Sequence, residues 1–167
     1  LCGVSKVRSF AKYWLPVLIW MAVIFSASGD RQSFRHSSRI IAPIVRWLFP
    51  QISDESLDAV VTFVRKGAHV AEYAVLAALC WRALRKPRKL DPRSWSWRDA
   101  GWAVSLVALY ALTDEIHQSF VPSRYGSWRD VLVDTMGGVL GLLLVWAWGC
   151  WRRCRRQTPL TTPSAAG

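Results

Sequence analysis

Apolar residues gather in four blocks along the chain, near residues 13–28, 67–84, 100–121 and 131–151. Each comes close to the roughly 20 residues that an α-helix needs to cross the hydrocarbon core of a bilayer. Between the first two blocks the pattern turns amphipathic: Ile40, Ile41, Ile44, Val45 and Leu48 recur at helical spacing with Arg39 and Arg46 among them, and Trp47 and Phe49 flank the end. This predicts a short helix lying at the membrane surface and ended by Pro50. Ser53 is placed to cap a second helix, in which Leu57, Val60, Val61 and Val64 form a stripe at i, i+3, i+4 and i+7. No breaker separates that stripe from the second block, so one helix from about Asp54 to Leu84 is expected to project above the bilayer. Pro16 falls in the first turns of the first block, where proline is tolerated, and Pro87 and Pro92 break the connection between the second and third. The expected fold is an all-α bundle of four transmembrane helices, with short amphipathic helices on the outer face. It occupies residues 1–156, and the Thr-, Pro- and Ser-containing end, 157–167, has the composition of a disordered cytoplasmic tail.

Composition supports this organisation. Apolar residues make up 52% of the 167, alongside 22 Lys+Arg, which excludes collagenous, coiled-coil and disordered chains. The net charge of +11 raises the question of nucleic acid, and its distribution answers it. Fourteen of the 22 basic residues lie before the first block, between the second and third, or after the fourth. By the positive-inside rule these segments and both termini are cytoplasmic, while residues 29–66 and 122–130 face outward. The basic clusters then meet anionic headgroups, and no base-reading motif accompanies them, so the expected partner is the bilayer and not nucleic acid. Most of the 11 tryptophans fall where this topology puts the two membrane surfaces. Cys2, Cys80, Cys150 and Cys154 all fall on the cytoplasmic side or half, so no structural disulfide is expected; the four-residue spacing of Cys150 and Cys154 lacks the second ligand pair of a zinc signature. Ser26-Ala27-Ser28 could also end a signal peptide, but a run this long, carrying Trp14 and Trp20, reads better as an uncleaved span.

Polar residues inside the apolar blocks are the informative part, because each is expensive in hydrocarbon. The second block opens with Lys66, His69, Glu72 and Tyr73; the third ends with Asp114, Glu115, His117 and Gln118; the fourth begins with Asp130 and Asp134. On the predicted topology all these ends lie at the outer boundary. The spacings Lys66–His69–Glu72, Asp114–His117, Asp114–Gln118 and Asp130–Asp134 are three or four residues, so each set shares a helix face. Below Asp134 the face continues through Gly137 and Gly141, a small-xxx-small pattern read as plain helix packing.

The motifs Arg65-Lys66-x-x-His69-x-x-Glu72-Tyr73, Asp114-Glu115-x-His117-Gln118-x-Phe120-Val121-Pro122-x-Arg124 and Asp130-x-x-x-Asp134-x-x-Gly137 resemble those of the VanZ-like family of bacterial membrane proteins, across essentially the whole chain. One departure is Asp134, where many relatives are expected to carry asparagine. The resemblance implies a multi-pass protein of the bacterial cytoplasmic membrane and cell envelope, in a family named for resistance to the glycopeptide teicoplanin. It leaves the chemistry, and any cofactor, unassigned.

Three readings of the polar cluster follow. In the first, an intramembrane enzyme acts on a lipid-linked envelope precursor or phosphate-bearing lipid: Lys66 and Arg124 hold an anionic group, and His117, oriented by Asp114, serves as acid, base or nucleophile beside His69 and Glu72. Glu115, Gln118 and Asp130 complete its substrate-binding set. Ser123-Arg124, Asp130 and Asp134 repeat the spacing of a membrane lipid phosphatase motif, but Asp130 stands where that motif has its nucleophilic histidine. In the second, His69 with Glu72 and Asp114 with His117 form facing imidazole and carboxylate pairs around a metal, although Lys66 would repel a cation there. In the third, the cluster is a buried ion-pair network that holds short helices together, or a binding pocket without chemistry.

Overall fold

A computed structural model describes residues 2–29, 31–85, 95–120 and 127–156, with the side chains of 2–7, 9, 29, 31–38, 40 and 156 left aside. The described residues form five α-helices and no strand: α1 (Cys2–Gly29), α2 (Arg31–Leu48), α3 (Asp54–Arg85), α4 (Trp97–Ser119) and α5 (Trp128–Arg156). Ser53 caps α3 as expected, its Oγ accepting from the Ser56 N–H at 3.3 Å, and α3 runs unbroken for 32 residues. Ser96 caps α4 by the same device, accepting from the Asp99 N–H at 3.3 Å.

Two boundaries differ from the sequence reading. The first helix reaches back to Cys2, so Pro16 lies in its interior; the basic segment holding Lys6, Arg8 and Lys12 continues the helix beyond the apolar block. The amphipathic helix begins at Arg31, well before Ile40, and accommodates Pro43; the Phe49 N–H still closes a helical turn onto Val45 before Pro50. The tail at 157–167, the two prolines at 87 and 92, and Arg124 lie outside the described residues.

Contacts at the two ends fix the helix directions. At one end Tyr13 of α1 lies under the Arg82 guanidinium of α3 at 5.6 Å, Trp81 stacks on Trp95 at 4.8 Å, and Trp97 meets Trp146 of α5 at 5.9 Å. At the other end Ser28 of α1 meets Asp114 of α4. Helices α1 and α4 therefore run one way and α3 and α5 the other, and α2 packs chiefly on α3.

The interior is built from small residues and the exterior from large ones. Ala77, Ala83, Ala100, Ala103 and Ala111 are buried with Val107, Leu76 and Tyr73, whereas Leu18, Ile19, Leu109, Ile116, Leu140 and Leu144 point outward. Exposed apolar surface on that scale is intolerable in water, and small residues at helix contacts are the usual way for helices to approach inside a bilayer. By length and composition two helices are apolar enough to cross a membrane, over Phe10–Ser28 and Trp128–Arg155. Helices α3 and α4 have the length, but Glu72 and Arg82 in one and Asp114, Glu115 and His117 in the other lower their apolar character.

The closest approach is between the parallel helices α3 and α5. A Cβ at Gly137 would lie 2.7 Å from the Val70 carbonyl oxygen, and one at Gly141 would lie 2.6 Å from both the Cα and the carbonyl oxygen of Ala74. Only hydrogen at these positions allows the two backbones to touch. Gly141→Ala is therefore expected to cost about 1–3 kcal/mol by overpacking and to lower the thermal midpoint in detergent. Gly149→Ala, where nothing lies within 4 Å, is expected to be neutral or slightly stabilising in the same assay.

Candidate functional site

The polar residues that interrupt the apolar blocks meet at the end opposite the tryptophan contacts. At their centre is Asp114, 1% exposed, whose position one turn and a half before the end of α4 turns its carboxylate into the bundle. Its Oδ2 accepts from the Ser28 hydroxyl of α1 at 2.8 Å, from the Tyr73 hydroxyl of α3 at 3.3 Å and from the Gln118 amide, one turn on, at 3.0 Å. The Gln118 amide also donates to Ser28 Oγ at 2.6 Å. Its second oxygen, Oδ1, is buried and meets no hydrogen-bond partner among the described residues. Two backbone carbonyls extend the ties between helices: Trp20 Nε1 donates to Glu72 O at 2.9 Å and the Tyr110 hydroxyl donates to Met21 O at 2.6 Å.

Around this centre lie the other candidates. Glu115, buried, accepts from the Ser127 N–H at 2.8 Å and so anchors the start of α5 to the end of α4. Asp134, 3% exposed, lies in the electrostatic field of Glu115, Asp114, Asp130 and Glu72. Asp130 Oδ1 approaches Lys66 Nζ at 3.9 Å, and the Lys66 side chain is 57% exposed, so this pair sits at the margin of the site. His69 Nδ1 lies 4.0 Å from Glu72 Oε2, one turn along α3. The His117 ring stacks on Phe25 of α1 with centroids 4.1 Å apart, and its buried Nδ1 meets no hydrogen-bond partner among the described residues.

Of the residues expected to converge on the predicted topology, Lys66, Glu72, Asp114, Glu115, Gln118 and Asp130 are linked by hydrogen bonds, an ion pair or electrostatic contact, and His69 lies beside Glu72. His117 meets Phe25 of α1, and Arg124 lies outside the described residues. One expected pairing is not made. The i, i+3 relation of Asp114 and His117 suggests that the acid orients the imidazole, but donors from α1 and α3 take up Asp114 Oδ2, and His117 turns to the Phe25 ring instead. The facing-pair metal arrangement is also not assembled, since among the described residues no group of three or more His, Cys, Asp or Glu side chains is disposed to hold an ion. The arrangement can bind a polar group by hydrogen bonds and can hold or pass a proton, with carboxyl groups at the centre and an ammonium at the rim.

Sequence reasoning gave no role in the site to Ser28, or to Tyr73 although it is named among the polar residues opening the second block; both contact Asp114 directly. Ser28 stands at the end of an apolar block, where a serine reads as a boundary residue, and nothing in the spacing of Tyr73 says which neighbour its hydroxyl will meet. A residual signal exists for Tyr73, which follows His69 by four residues and so shares its face; Ser28 has none within α1.

No curated protein and no solved structure matches the chain. A sequence model of the VanZ/LLP1 family does match, over residues 13–149, a stretch that runs from the first apolar block almost to the end of the fourth and takes in every polar motif of the site. The chain is a member of the VanZ/LLP1 family.

Proposed function

We propose that this VanZ/LLP1 member is a four-span protein of the bacterial cytoplasmic membrane, with both termini cytoplasmic, whose outward-opening polar site binds or acts on an envelope molecule. Its spans are α1, the apolar part of α3, α4 and α5. The ligand is a lipid-linked precursor or a phosphate-bearing lipid, and the phenotype is reduced susceptibility to glycopeptides such as teicoplanin, or a related change in the cell surface. The observation that carries the reading is Asp114: a carboxylate 1% exposed between apolar helices, joined to polar groups of α1 and α3 and neighboured by Asp134 of α5. Groups this costly in hydrocarbon are kept where they serve a site. In this reading Lys66, at the margin, meets the anionic group first, Arg124 supports it, and His117, His69, Glu72 and Asp114 handle protons, with Glu115, Gln118 and Asp130 shaping the pocket.

A second reading has a specific observation behind it. Three hydrogen bonds on one carboxylate oxygen also describe a network that does nothing but hold helices together. Removing one partner of such a buried network costs about 1–3 kcal/mol for each group left unsatisfied, so a purely structural Asp114 would reveal itself as lost protein. His117 separates the readings better, because it joins α4 to α1 only by a ring stack and takes no part in the hydrogen bonds on Asp114.

His117→Gln, at matched protein level, is expected to abolish any change in envelope lipids and lipid-linked precursors that the intact protein causes, as read by mass spectrometry of whole-cell extracts. A His117→Gln protein that still produces the full change would remove acid or base chemistry at this residue. For topology, a reporter fused after Arg98 is expected to be cytoplasmic and one fused at Asp54 extracytoplasmic; the reverse pattern would overturn the outward orientation of the site.

A further inference from the structure

Opposite the polar site, the ends of α1 and α3 gather cations that the site does not use. The Tyr13 ring of α1 has the Lys12 ammonium 5.7 Å from its centroid and the Arg82 guanidinium of α3 at 5.6 Å. Both lie within the roughly 6 Å over which the face of an aromatic ring attracts a cation. Arg8 stands one turn before Lys12 on the same face, and Arg85, one turn beyond Arg82, lies over the Trp81 ring at 5.6 Å. Lys12 and Arg82 are exposed, and among the described residues no carboxylate pairs with either. The charge here is one-sided: these ends of α1, α3 and α4 carry Arg8, Lys12, Arg82, Arg85 and Arg98, and the one acid among their described side chains is Asp99. Tyr13 opens the first apolar block and Arg82 falls in the last turn of the second, so on the four-span reading this seam ends at a membrane surface. Further into the bilayer, Ile19 and Val23, seven and eleven residues after Lys12, and Val75, seven before Arg82, continue the same faces as exposed apolar side chains.

We infer that this end of the α1–α3 seam is a binding site for one anionic phospholipid, its phosphate meeting Lys12 and Arg82 and its acyl chains lying on the exposed apolar faces beneath. Two like charges brought to one ring from different helices repel each other, and an anion between them turns that repulsion into two attractions. Phosphate suits both cations: it accepts two parallel N–H bonds from a guanidinium and takes an ammonium as a point charge. A net negative lipid is favoured over a zwitterionic one, whose own ammonium brings a further positive charge to a seam that already holds an excess. The apolar faces choose a lipid over a free phosphate, because they offer a soluble anion nothing. The inference rests on the reading of the chain as a membrane protein, but not on the polar site or on which way the bundle faces.

The test is native mass spectrometry of the purified, delipidated full chain in detergent, with palmitoyl-oleoyl phosphatidylglycerol or phosphatidylcholine added. The wild type is expected to retain one phosphatidylglycerol better than phosphatidylcholine by about fivefold or more, the worth of one basic residue at an anionic surface. Lys12→Gln combined with Arg82→Gln is expected to abolish that preference while the thermal midpoint stays within a few degrees, and Lys12→Arg, which keeps the charge, to preserve it. Arg39→Gln combined with Arg46→Gln removes the same charge at the other end of the molecule and is expected to leave the preference unchanged. Equal retention of the two lipids, a preference untouched by the Lys12 and Arg82 changes, or an equal loss in both double variants would overturn the proposal. Displacement of phosphatidylglycerol by a millimolar excess of glycerol phosphate would overturn it too and assign the cations to a soluble phosphate. Reporter topology is read independently, so a failure there and a failure here are distinguishable.

Discussion

A carboxylate removed from water must be repaid by donors placed around it, and Asp114 imposes that demand on the whole bundle. Its three donors come from α1, α3 and its own helix, so α4 can sit in only one rotation and at one depth relative to the other two. Charge-assisted hydrogen bonds of this kind contribute about 1.5–3 kcal/mol each, more than one methyl group's worth of packing, and losing one exposes the acid's desolvation cost in full. The neighbouring ties, Trp20 to the Glu72 carbonyl and Tyr110 to the Met21 carbonyl, lie about one helical turn or two from the same centre and hold the same three helices. On the proposed four-span reading there is no hydrophobic force between the helices in lipid, so such directional contacts set the orientation that apolar packing alone would leave loose.

The fourth helix joins by a different force. Helix α5 meets α3 through Gly137 and Gly141, where the absence of side chains lets backbone lie on backbone. The consequence reaches the site, because Asp134 and Asp130 lie one and two turns above Gly137 on the same helix. The close crossing carries Asp134 in among the acids of the other helices and brings Asp130 to Lys66. Packing and site chemistry are thus set by one register. A shift of α5 by a single residue would rotate both the glycines and the acids away by about 100 degrees.

How much of this was legible in the sequence follows from what periodicity encodes. Spacings of three and four residues identify which side chains share a face, and they placed His69 with Glu72, while the alternating helix directions brought the polar ends of three helices to one end of the bundle. The long helix from Asp54 and its Ser53 cap were equally readable, since both depend on local chemistry. Periodicity within one helix says nothing of which donors a neighbour will present. For that reason the Asp114–His117 pairing failed, and neither Ser28 nor Tyr73 was assigned to the acid although both touch it. The early start of α2 was missed for another reason: its first two turns are polar, and an apolar stripe cannot mark a helix that has not yet begun to bury a face. Whether α3 and α4 cross a bilayer is a question that apolar averages answer poorly, because the residues that lower the average are the ones that build the site.

The charges are arranged by depth, and that arrangement decides what the site can accept. Asp114, Glu115 and Asp134 are buried, while Lys66 is more than half exposed and Asp130 beside it is nearly half exposed. In the proposed function, an anionic headgroup approaching from the membrane surface would meet the ammonium before the acids, and the acids would oppose its deeper entry. The buried carboxyl groups therefore suit the uncharged or hydroxyl-bearing part of a ligand, to which they offer acceptors and a place to pass a proton. For the ligand class proposed above, this order of charges argues for phosphate at the rim and a hydroxyl-bearing part within, which a ligand carrying both groups on one lipid anchor would satisfy together.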